Sequence, residues 1–425
     1  WQRMELFMRT VGFQAGEILL PRCDLEKWSV VACDQFTSQP EYWEEVERIV
    51  GDSPSAYRLI FPEALLPKEN FEEKIDSINQ KMEKYWNEGL FQSYPDAMIY
   101  VERTLLDGSV RKGILGLLDL EEYDYRKGSG SLVRATEGTV MERIPPRVQI
   151  REHALLELPH VLVLVDDPEK TVVEPVAERR KTLQSLYDFR LMQGGGRIRG
   201  WLLDEAEQER VTAALEKLGD PERFREKYGV DAPVLLYAVG DGNHSLASAK
   251  ECWNRIKAGL SPEEAKKHPA RYALVELGNL HDDSLKFEAI HRVIFGVEPD
   301  AFREAFRKYA DSRQGALPAQ TVRMVTEQGE EALTISHPDR TLTVGSIQAF
   351  LDEFLPEAGG TVDYIHGEDV VRSLAEKGGI GLLLPVMKKE ELFQTVILEG
   401  ALPRKTFSMG EAPEKRYYLE SRRIR

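Results

Sequence analysis

Cysteine is scarce in this chain of 425 residues, which has only Cys23, Cys33 and Cys252 and no Cys-x-x-Cys pair. An odd, small number argues against a disulfide framework, and a structural zinc site would lack its usual paired thiolates. Unpaired cysteines are typical of reducing compartments. We therefore expect a cytoplasmic protein.

An excess of positive charge is also missing. The chain has 56 Lys and Arg against 72 Asp and Glu, giving a formal net charge of -16. Proteins that bind duplex DNA normally carry a basic domain or stripe. The balance argues against a nucleic-acid partner, but it leaves room for local basic clusters that would suit a small phosphorylated molecule.

Long apolar runs and a phosphate loop are absent as well. No run approaches the roughly 18 residues of a membrane span. The chain begins Trp1-Gln2-Arg3-Met4, without the layout of a signal peptide, and we expect a trimmed or added end. Gly194-Gly195-Gly196 lacks the Lys-Ser/Thr that follows a phosphate loop, which predicts a flexible turn.

The patterns that are present alternate irregularly between helix and strand, which predicts an α+β (mixed α/β) fold of two or three domains. Asn70 is the predicted N-cap of a strongly amphipathic helix, and Asp107-Gly108 predicts a hairpin. Predicted helices are 41–50, 70–88, part of 170–193, 203–218, 221–228, 244–258, 347–355, 367–377 and 389–399. Predicted strands are 97–103, 112–119, 159–165, 234–239, 271–277, 286–295, 322–327, 331–336 and 340–345, with loops near 356–361 and 378–381.

The apolar run 234–239 stops abruptly at Gly240-Asp241-Gly242-Asn243-His244-Ser245. Two glycines permit positive φ and close approach of a ligand to the backbone. We expect Asn243 and Ser245 to cap the following helix, whose free N–H groups attract anions, and His244 to add a titratable donor. A tight turn without chemistry, stabilised by Asp241, is the alternative.

The segment 237–249 resembles the Asp-Gly-His-His-Arg signature of the ParB/sulfiredoxin-like fold, which is also typical of archaeal free-serine kinases and of the family called domain of unknown function 1015. Further stretches resemble these families in the same order: 30–35, 121–123 with 134–137, 287–292 and 381–406. The resemblance implies a ParB/sulfiredoxin-like catalytic domain over 1–260 with an insertion at about 100–230. It also implies a second α+β domain over 261–425, which contributes the Pro403–Thr406 loop to the site.

The resemblance further implies a serine kinase-like phosphotransferase that uses ATP or ADP with Mg²⁺. Asp34 would be the general base, and Asp241 would bind Mg²⁺ or a substrate ammonium. The implied catalytic residues are Asp34, Asp241 and His244. The implied substrate and phosphate contacts are Gly242, Asn243, Ser245, Lys405, Thr406, Arg134 and Arg147, with Arg143 in the same basic cluster.

Three positions depart from the signatures. Asn243 replaces the first His, Ser245 replaces the Arg, and Asp34 replaces a Glu. The missing Arg points away from nucleic acid. A phosphate would have to be held by backbone N–H groups, Ser245 and basic residues from elsewhere in the chain.

Two other functions remain open beside the phosphotransferase: a non-catalytic nucleotide-binding regulator of ParB-like type, and a hydrolase of another phosphorylated metabolite. Locally, Cys33 could be a nucleophile. His366, Glu368 and Asp369 resemble a metal-ligand cluster, but acids are expected at a helix start from the helix dipole alone. The sequence does not predict the oligomeric state.

Overall fold

The computed structural model of the protein describes residues 11–65, 71–138 and 144–425. The predicted end at Trp1–Met4, the predicted cap Asn70 and the basic residue Arg143 lie outside these residues. The chain forms two compact units, one ending at Leu285 and completed by Glu411–Arg425, the other running over Lys286–Gly410. Within the described residues, no helix combines the length and apolar character needed to cross a bilayer.

The first unit contains most of the secondary structure. Its strands are β1 (Phe13–Gln14), β2 (Gly16–Pro21), β3 (Val30–Val31), β4 (Phe91–Ala97), β5 (Ile99–Thr104), β6 (Val110–Asp119), β7 (Tyr123–Asp124), β8 (Val133–Ala135), β9 (Leu156–Glu157), β10 (Leu162–Val165), β11 (Gln184–Arg190), β12 (Arg197–Leu202), β13 (Tyr237–Asp241) and β14 (Tyr272–Asn279). Its helices are α1 (Leu25–Trp28), α2 (Pro40–Val50), α3 (Phe71–Asn87), α4 (Ile144–Glu152), α5 (Glu174–Arg179), α6 (Glu205–Leu218), α7 (Pro221–Tyr228), α8 (Asn243–Lys257) and α9 (Pro262–Lys267).

The second unit continues the numbering. Its strands are β15 (Phe287–Phe295), β16 (Gln320–Thr326), β17 (Gly329–Ile335), β18 (Thr361–His366), β19 (Ile380–Leu383) and β20 (Phe407–Met409). Its helices are α10 (Pro299–Ser312), α11 (Thr343–Ala358), α12 (Glu368–Ala375) and α13 (Lys389–Glu399). The chain then returns to the first unit with β21 (Tyr417–Tyr418) and β22 (Arg422–Arg423).

A ten-stranded mixed sheet organises the first unit, in the order β11-β12-β5-β6-β14-β10-β13-β8-β7 with β1 beside β6. Strand β14 is antiparallel to β6 and parallel to β10, and β10 is antiparallel to β13. This pairing explains why the first unit extends to Leu285, beyond the predicted boundary after about residue 260, because β14 belongs to this sheet.

The second unit has its own sheet, in the order β17-β16-β19-β15-β18 with β20 beside β15. The mixed α/β fold class is therefore confirmed. The ParB/sulfiredoxin-like core stays a prediction.

Local sequence explains many of the helices. Helix α3 buries Ile75, Ile78, Met82 and Tyr85, which are spaced three or four residues apart as one face of a helix requires. Helix α7 begins where the Asp220 carboxylate accepts two backbone N–H groups, each at 3.0 Å.

The structure differs from the predicted elements at three places. The predicted partly helical stretch 170–193 contains α5 but then becomes strand β11, which pairs in register with β12. The predicted strand 340–345 is wrong, because α11 begins at Thr343 and buries Val344, Ile347 and Leu351 on one face. The loop predicted near 356–361 is shorter than predicted: Pro356 lies in the last turn of α11, Gly359 and Gly360 connect the two elements, and β18 begins at Thr361.

The segment 411–425, called the C-terminal strap below, is held along its length by the first unit. Its strand β21 pairs with β3, and β22 pairs with β9. The Arg103 guanidinium donates to the carbonyls of Pro413, Glu414 and Lys415. The strap thereby carries residues 415–418 to the edge of the turn that follows β13.

Candidate functional site

The turn after β13 is shaped by the strand beside it. Asp241 lies opposite Leu162 in the β10–β13 register. Gly242 has φ 83°, and a Cβ there would lie 3.0 Å from the Cα of Val161. A side chain at position 242 would therefore be both strained and crowded. The tight approach places residues 160–162 directly against the turn.

Helix α8 begins differently from the prediction. Gly242 occupies the N-cap position and has no side chain with which to cap. Asn243 is already helical, and its Oδ1 accepts the N–H of Thr136 at 3.2 Å. The predicted capping by Asn243 and Ser245 is therefore wrong. The His244 carbonyl accepts the Ser248 hydroxyl at 2.7 Å inside the same helix.

Asp34 lies in the turn after β3 and is close to His160. Its Oδ2 is 3.8 Å from His160 Nε2, and its Oδ1 accepts from Gln35 Nε2 at 3.0 Å. Burial by itself would raise the pKa of Asp34, but His160, Gln35 and Arg147 together outweigh burial and hold this pKa below its usual value. The carboxylate is therefore ionised at neutral pH.

Tyr418 of the C-terminal strap connects this pair to Cys33. Its hydroxyl lies 3.2 Å from His160 Nδ1 and 3.2 Å from Cys33 Sγ. Burial, and next the charge of Asp34, raise the pKa of the Cys33 thiol to about 12. A thiol that stays protonated is a poor nucleophile, which argues against covalent chemistry at Cys33.

A pocket brings these elements together. His160, which lies two residues before β10, and Asp241 both line it. Its other lining residues are Val101, Arg103, Arg111, Leu162, Ile198, Glu276, Arg416 and Tyr417. Lys415 Nζ lies 3.3 Å from Asp241 Oδ2, and the other oxygen of Asp241 accepts the Gly242 N–H at 2.9 Å. Carboxylates from distant parts of the sequence thus meet cations from the strap.

A buried chain of charges forms the wall of the pocket. Arg416 donates to Glu276 at 2.6 Å and also to Glu420, which in turn accepts from the Tyr187 hydroxyl. Glu276 lies over Gly113, where a Cβ would come within 2.4 Å of its Oε1. Gly113 therefore gives the Glu276 carboxylate room to reach Arg416.

The two arginines predicted to bind substrate have protein partners. Arg134 is buried and donates to the carbonyls of Ser131, Pro233 and Val234. Arg147 forms an ion pair with Glu63, and its charge contributes to the low pKa of Asp34.

Lys405 and Thr406 belong to the second unit. Lys405 has φ 53°, an uncommon conformation for a residue with a side chain. Its carbonyl accepts from the buried Arg292 at 2.9 Å, and the Thr406 hydroxyl donates to the Pro403 carbonyl. Their predicted contact with phosphate stays a prediction.

The described residues contain no group of three or more His, Cys, Asp and Glu side chains that could hold a metal ion. Of the predicted cluster at the start of α12, Glu368 instead pairs with Arg323 and Arg372. Glu368 and Asp369 lie in the first turn of α12, where the helix dipole favours acids.

Sequence reasoning missed several residues of the site: His160, Arg103, Arg111, Glu276, Lys415, Arg416 and Tyr418. One signal was available. His160 is the polar residue near the start of the predicted buried strand 159–165, and a buried polar side chain is more informative than the apolar residues around it. The strap offered no comparable local pattern.

A family model described as "Protein of unknown function (DUF1015)" matches residues 18–354. The chain belongs to this family. The match runs from within β2 to Leu285 of the first unit and extends into α11, so it includes Asp34 and the turn at Asp241 but not the C-terminal strap. No curated protein matches the DUF1015 chain.

Solved structures resemble this DUF1015 protein only distantly. A free serine kinase mutant in complex with AMP is 11% identical, with a TM-score of 0.37 and coverage of 72% of this chain and 90% of that one. SbnI from Staphylococcus aureus, truncated at its C-terminus, is 11% identical with a TM-score of 0.34, covering 70% and 82%. A conserved hypothetical protein from Pyrococcus furiosus is 11% identical with a TM-score of 0.32, covering 69% and 89%. The bound nucleotide is a property of that kinase, and likenesses at this level assign no ligand to the present chain.

Proposed function

We propose that this DUF1015 protein is a small-molecule phosphotransferase, which transfers a phosphoryl group between a nucleotide and the hydroxyl of serine or a similar metabolite. One observation carries the proposal: His160 contacts Asp34 and lines the same pocket as Asp241. An ionised carboxylate, an imidazole and several cations beside one pocket are the groups that phosphoryl transfer requires. The resemblance of the motifs at 30–35 and 237–249 to free-serine kinases supports this choice of reaction.

Asp34 is the proposed general base. The substrate oxygen attacks the terminal phosphorus, the bond from that phosphorus to the nucleotide oxygen breaks, and the hydroxyl proton passes to Asp34. A carboxylate with a lowered pKa is a weak base. The transition state of phosphoryl transfer is loose, however, so orienting the hydroxyl matters more than removing its proton early.

The turn and the strap supply the proposed phosphate contacts. The first N–H groups of α8, from Asn243, His244 and Ser245, point out of a helix N-terminus that favours anions. Lys415 contributes a cation beside Asp241. Lys405 and Thr406 remain proposed phosphate contacts of the second unit.

The residues present fit a magnesium ion only as a partner of the nucleotide. Asp241 could supply one ligand, and Mg²⁺ commonly takes one or two carboxylates together with phosphates and water. The ion would neutralise charge on the transferring oxygens. Because Lys415 already contacts Asp241, the ammonium would have to move aside from that oxygen.

The direct test is to incubate the protein with serine, ATP or ADP and Mg²⁺ and to measure O-phosphoserine by mass spectrometry. We expect formation, and loss of about 100-fold or more in the rate for Asp34→Asn, because general-base catalysis contributes on that order. Asp52→Asn is the matched control, since Asp52 is an exposed carboxylate outside the pocket.

Two outcomes would redirect the proposal. Nucleotide binding without any phosphoserine formation or breakdown would favour a regulator. Release of phosphate from a different metabolite, with the same loss in Asp34→Asn, would favour a hydrolase.

A further inference from the structure

Two arginines face each other in the pocket. Arg103 on β5 and Arg111 on β6 are directly opposite in the antiparallel register, so their side chains share one face of the sheet. Both line the pocket together with His160 and Asp241. Like charges directly opposite on paired strands are unfavourable. The charge of Glu276 in the same pocket acts to raise the pKa of Arg103 but does not outweigh burial and Arg111, so a bound anion would add to this compensation.

The partners of these arginines are backbone carbonyls. Arg103 donates to the Gly195 carbonyl at 2.9 and 3.0 Å and to the Glu414 carbonyl at 2.9 Å. It also donates to the Lys415 and Pro413 carbonyls, so each of its five N–H groups has a backbone acceptor. Arg111 donates to the Glu414 carbonyl at 3.1 Å. Over residues 11–65, 71–138 and 144–425, neither guanidinium forms an ion pair with a carboxylate. The buried Nε of Arg111 also has no hydrogen-bond partner among these residues.

The charge of a third arginine in the same pocket is compensated by carboxylates. Arg416 contacts two carboxylates, Glu276 and Glu420, and their charges raise its pKa against the opposing effect of burial. Burial, and next the charge of Arg111, lower the pKa of Arg103 to about 10. Arg103 therefore remains a cation at neutral pH, in a setting that disfavours its charge.

We propose that Arg103 and Arg111 form a binding site for an oxyanion. Arg111 supplies the hydrogen-bond donors, because a planar guanidinium can donate two parallel N–H bonds to a carboxylate or a phosphate. Arg103, whose N–H groups all have backbone acceptors, supplies positive charge from the opposite strand. The identity of the anion rests on the proposed function: it is the carboxylate of the amino-acid substrate or a phosphate of the nucleotide. The existence of the site does not depend on that function.

The test compares thermal unfolding in millimolar pyrophosphate with unfolding in chloride at equal ionic strength. Three proteins are measured: the wild type, Arg111→Gln, and the matched control Lys112→Gln. The Lys112→Gln substitution removes the same charge from the same strand. The Lys112 side chain, however, lies on the other face of the strand and does not line the pocket. Any general salting effect of the anion acts equally on all three.

We expect pyrophosphate to raise the melting temperature of the wild type and of Lys112→Gln. In Arg111→Gln the apparent Kd should weaken about tenfold or more, because a charge-assisted pair of hydrogen bonds is lost. Melting of this variant in chloride should be close to that of the wild type, since like-charge repulsion is relieved as one carbonyl contact is lost. No anion-specific shift in the wild type, an unchanged shift in Arg111→Gln, or a variant unfolded in both salts would overturn the proposal.

Competition then separates the two sources of the anion. Serine and ethanolamine share a hydroxyl and an ammonium, but only serine has a carboxylate. Displacement of pyrophosphate by serine and not by ethanolamine assigns the site to the substrate carboxylate, whereas displacement by AMP assigns it to the nucleotide phosphate. Displacement by neither would overturn the assignment of this anion to the phosphotransferase reaction.

The two proposals fail independently. Binding of pyrophosphate through Arg111 without formation of phosphoserine would overturn the proposed function and support the anion site. Equal rates of phosphoserine formation and equal pyrophosphate affinities in the wild type and Arg111→Gln would support the proposed function and overturn the anion site.

Discussion

Two buried arginines, one in each compact unit, both hold a distant segment of the chain by donating hydrogen bonds to its backbone carbonyls. Arg103 donates to carbonyls of 413–415, and Arg292 donates to the carbonyls of Arg404 and Lys405. Burial is the largest cause in both cases and lowers the pKa of each to about 10. Burial and pKa therefore do not distinguish the two residues.

Their surroundings do distinguish them. Arg292 is fully enclosed, with Gln348 at 3.3 Å and the Tyr364 ring 5.0 Å from its guanidinium carbon. Arg103 lines the pocket and faces a second guanidinium, that of Arg111. Hydrogen bonds do not distinguish the two, since every N–H of Arg103 has an acceptor whereas the buried Nε of Arg292 has none among the described residues. A cation enclosed by neutral groups is typical of structure, whereas a cation that lines a pocket beside a like charge is typical of a ligand site.

The largest expected effect comes from deleting the strap, residues 411–425. Its Tyr417, Tyr418, Leu419 and Ile424 are buried. Each contributes about 1.5–3 kcal/mol, so their combined loss approaches the whole stability of a typical domain. We expect the first unit to lose its cooperative transition and the Arg292 region to keep its own.

Tryptophan fluorescence measures this selectively, because all six tryptophans precede residue 286. The Trp28 indole donates to the Leu419 carbonyl at 3.0 Å, so the deletion should shift emission to the red. If the truncated protein kept the cooperative fluorescence transition of the wild type, the strap would not be needed for folding of the first unit, contrary to this prediction.

An intermediate effect is expected from replacing each arginine with Met. Both changes leave buried carbonyls without donors, which costs about 1–3 kcal/mol per unsatisfied group. Arg103→Met should lower the stability measured by tryptophan fluorescence and abolish stabilisation by pyrophosphate. Arg292→Met should lower stability measured by far-ultraviolet circular dichroism, with the pyrophosphate effect retained. Loss of that effect in Arg292→Met would remove the distinction drawn between the two sites.

The smallest effect concerns acid stability of the pocket. The pKa of Asp34 is lowered in the folded protein, so its stabilisation is present above the unfolded pKa of about 3.9 and disappears as pH falls through the folded value. Asp34→Asn should therefore flatten the fall in unfolding free energy below about pH 4, by at most ~1.4 kcal/mol per pH unit for one proton. Urea titrations between pH 2.5 and 6 would measure the slope, with Asp52→Asn as the variant that should leave it unchanged.

The sequence predicted elements whose signals are local. Helices near 41–50, 221–228 and 389–399 and the hairpin at Asp107-Gly108 are confirmed, because capping residues and apolar spacing act within a few residues. Strand β11 was missed because its secondary structure is determined by its pairing with β12. The C-terminal strap was missed for a stronger form of the same reason, since Tyr417 pairs with Val31 across almost the whole chain.

The site shows the same division. Asp241 was predicted because it interrupts an apolar run, and Asp34 because the segment 30–35 resembles a family motif. His160, Arg103 and Lys415 acquire their place only through register and strap pairing, which no short window of sequence contains. The capping role assigned to Asn243 was wrong because Thr136, from another strand, competes for its side chain.

The position of the strap has a consequence for the order of synthesis. Residues 411–425 leave the ribosome only after the entire second unit has been made. Domains generally fold in order of emergence. Here the pocket of the first unit stays incomplete while the 125 residues of the second unit, from Lys286 to Gly410, are translated. A nascent chain of this protein therefore holds Asp34 and Asp241 long before it can hold Lys415 beside them, and the finished pocket marks a chain whose second unit has been translated.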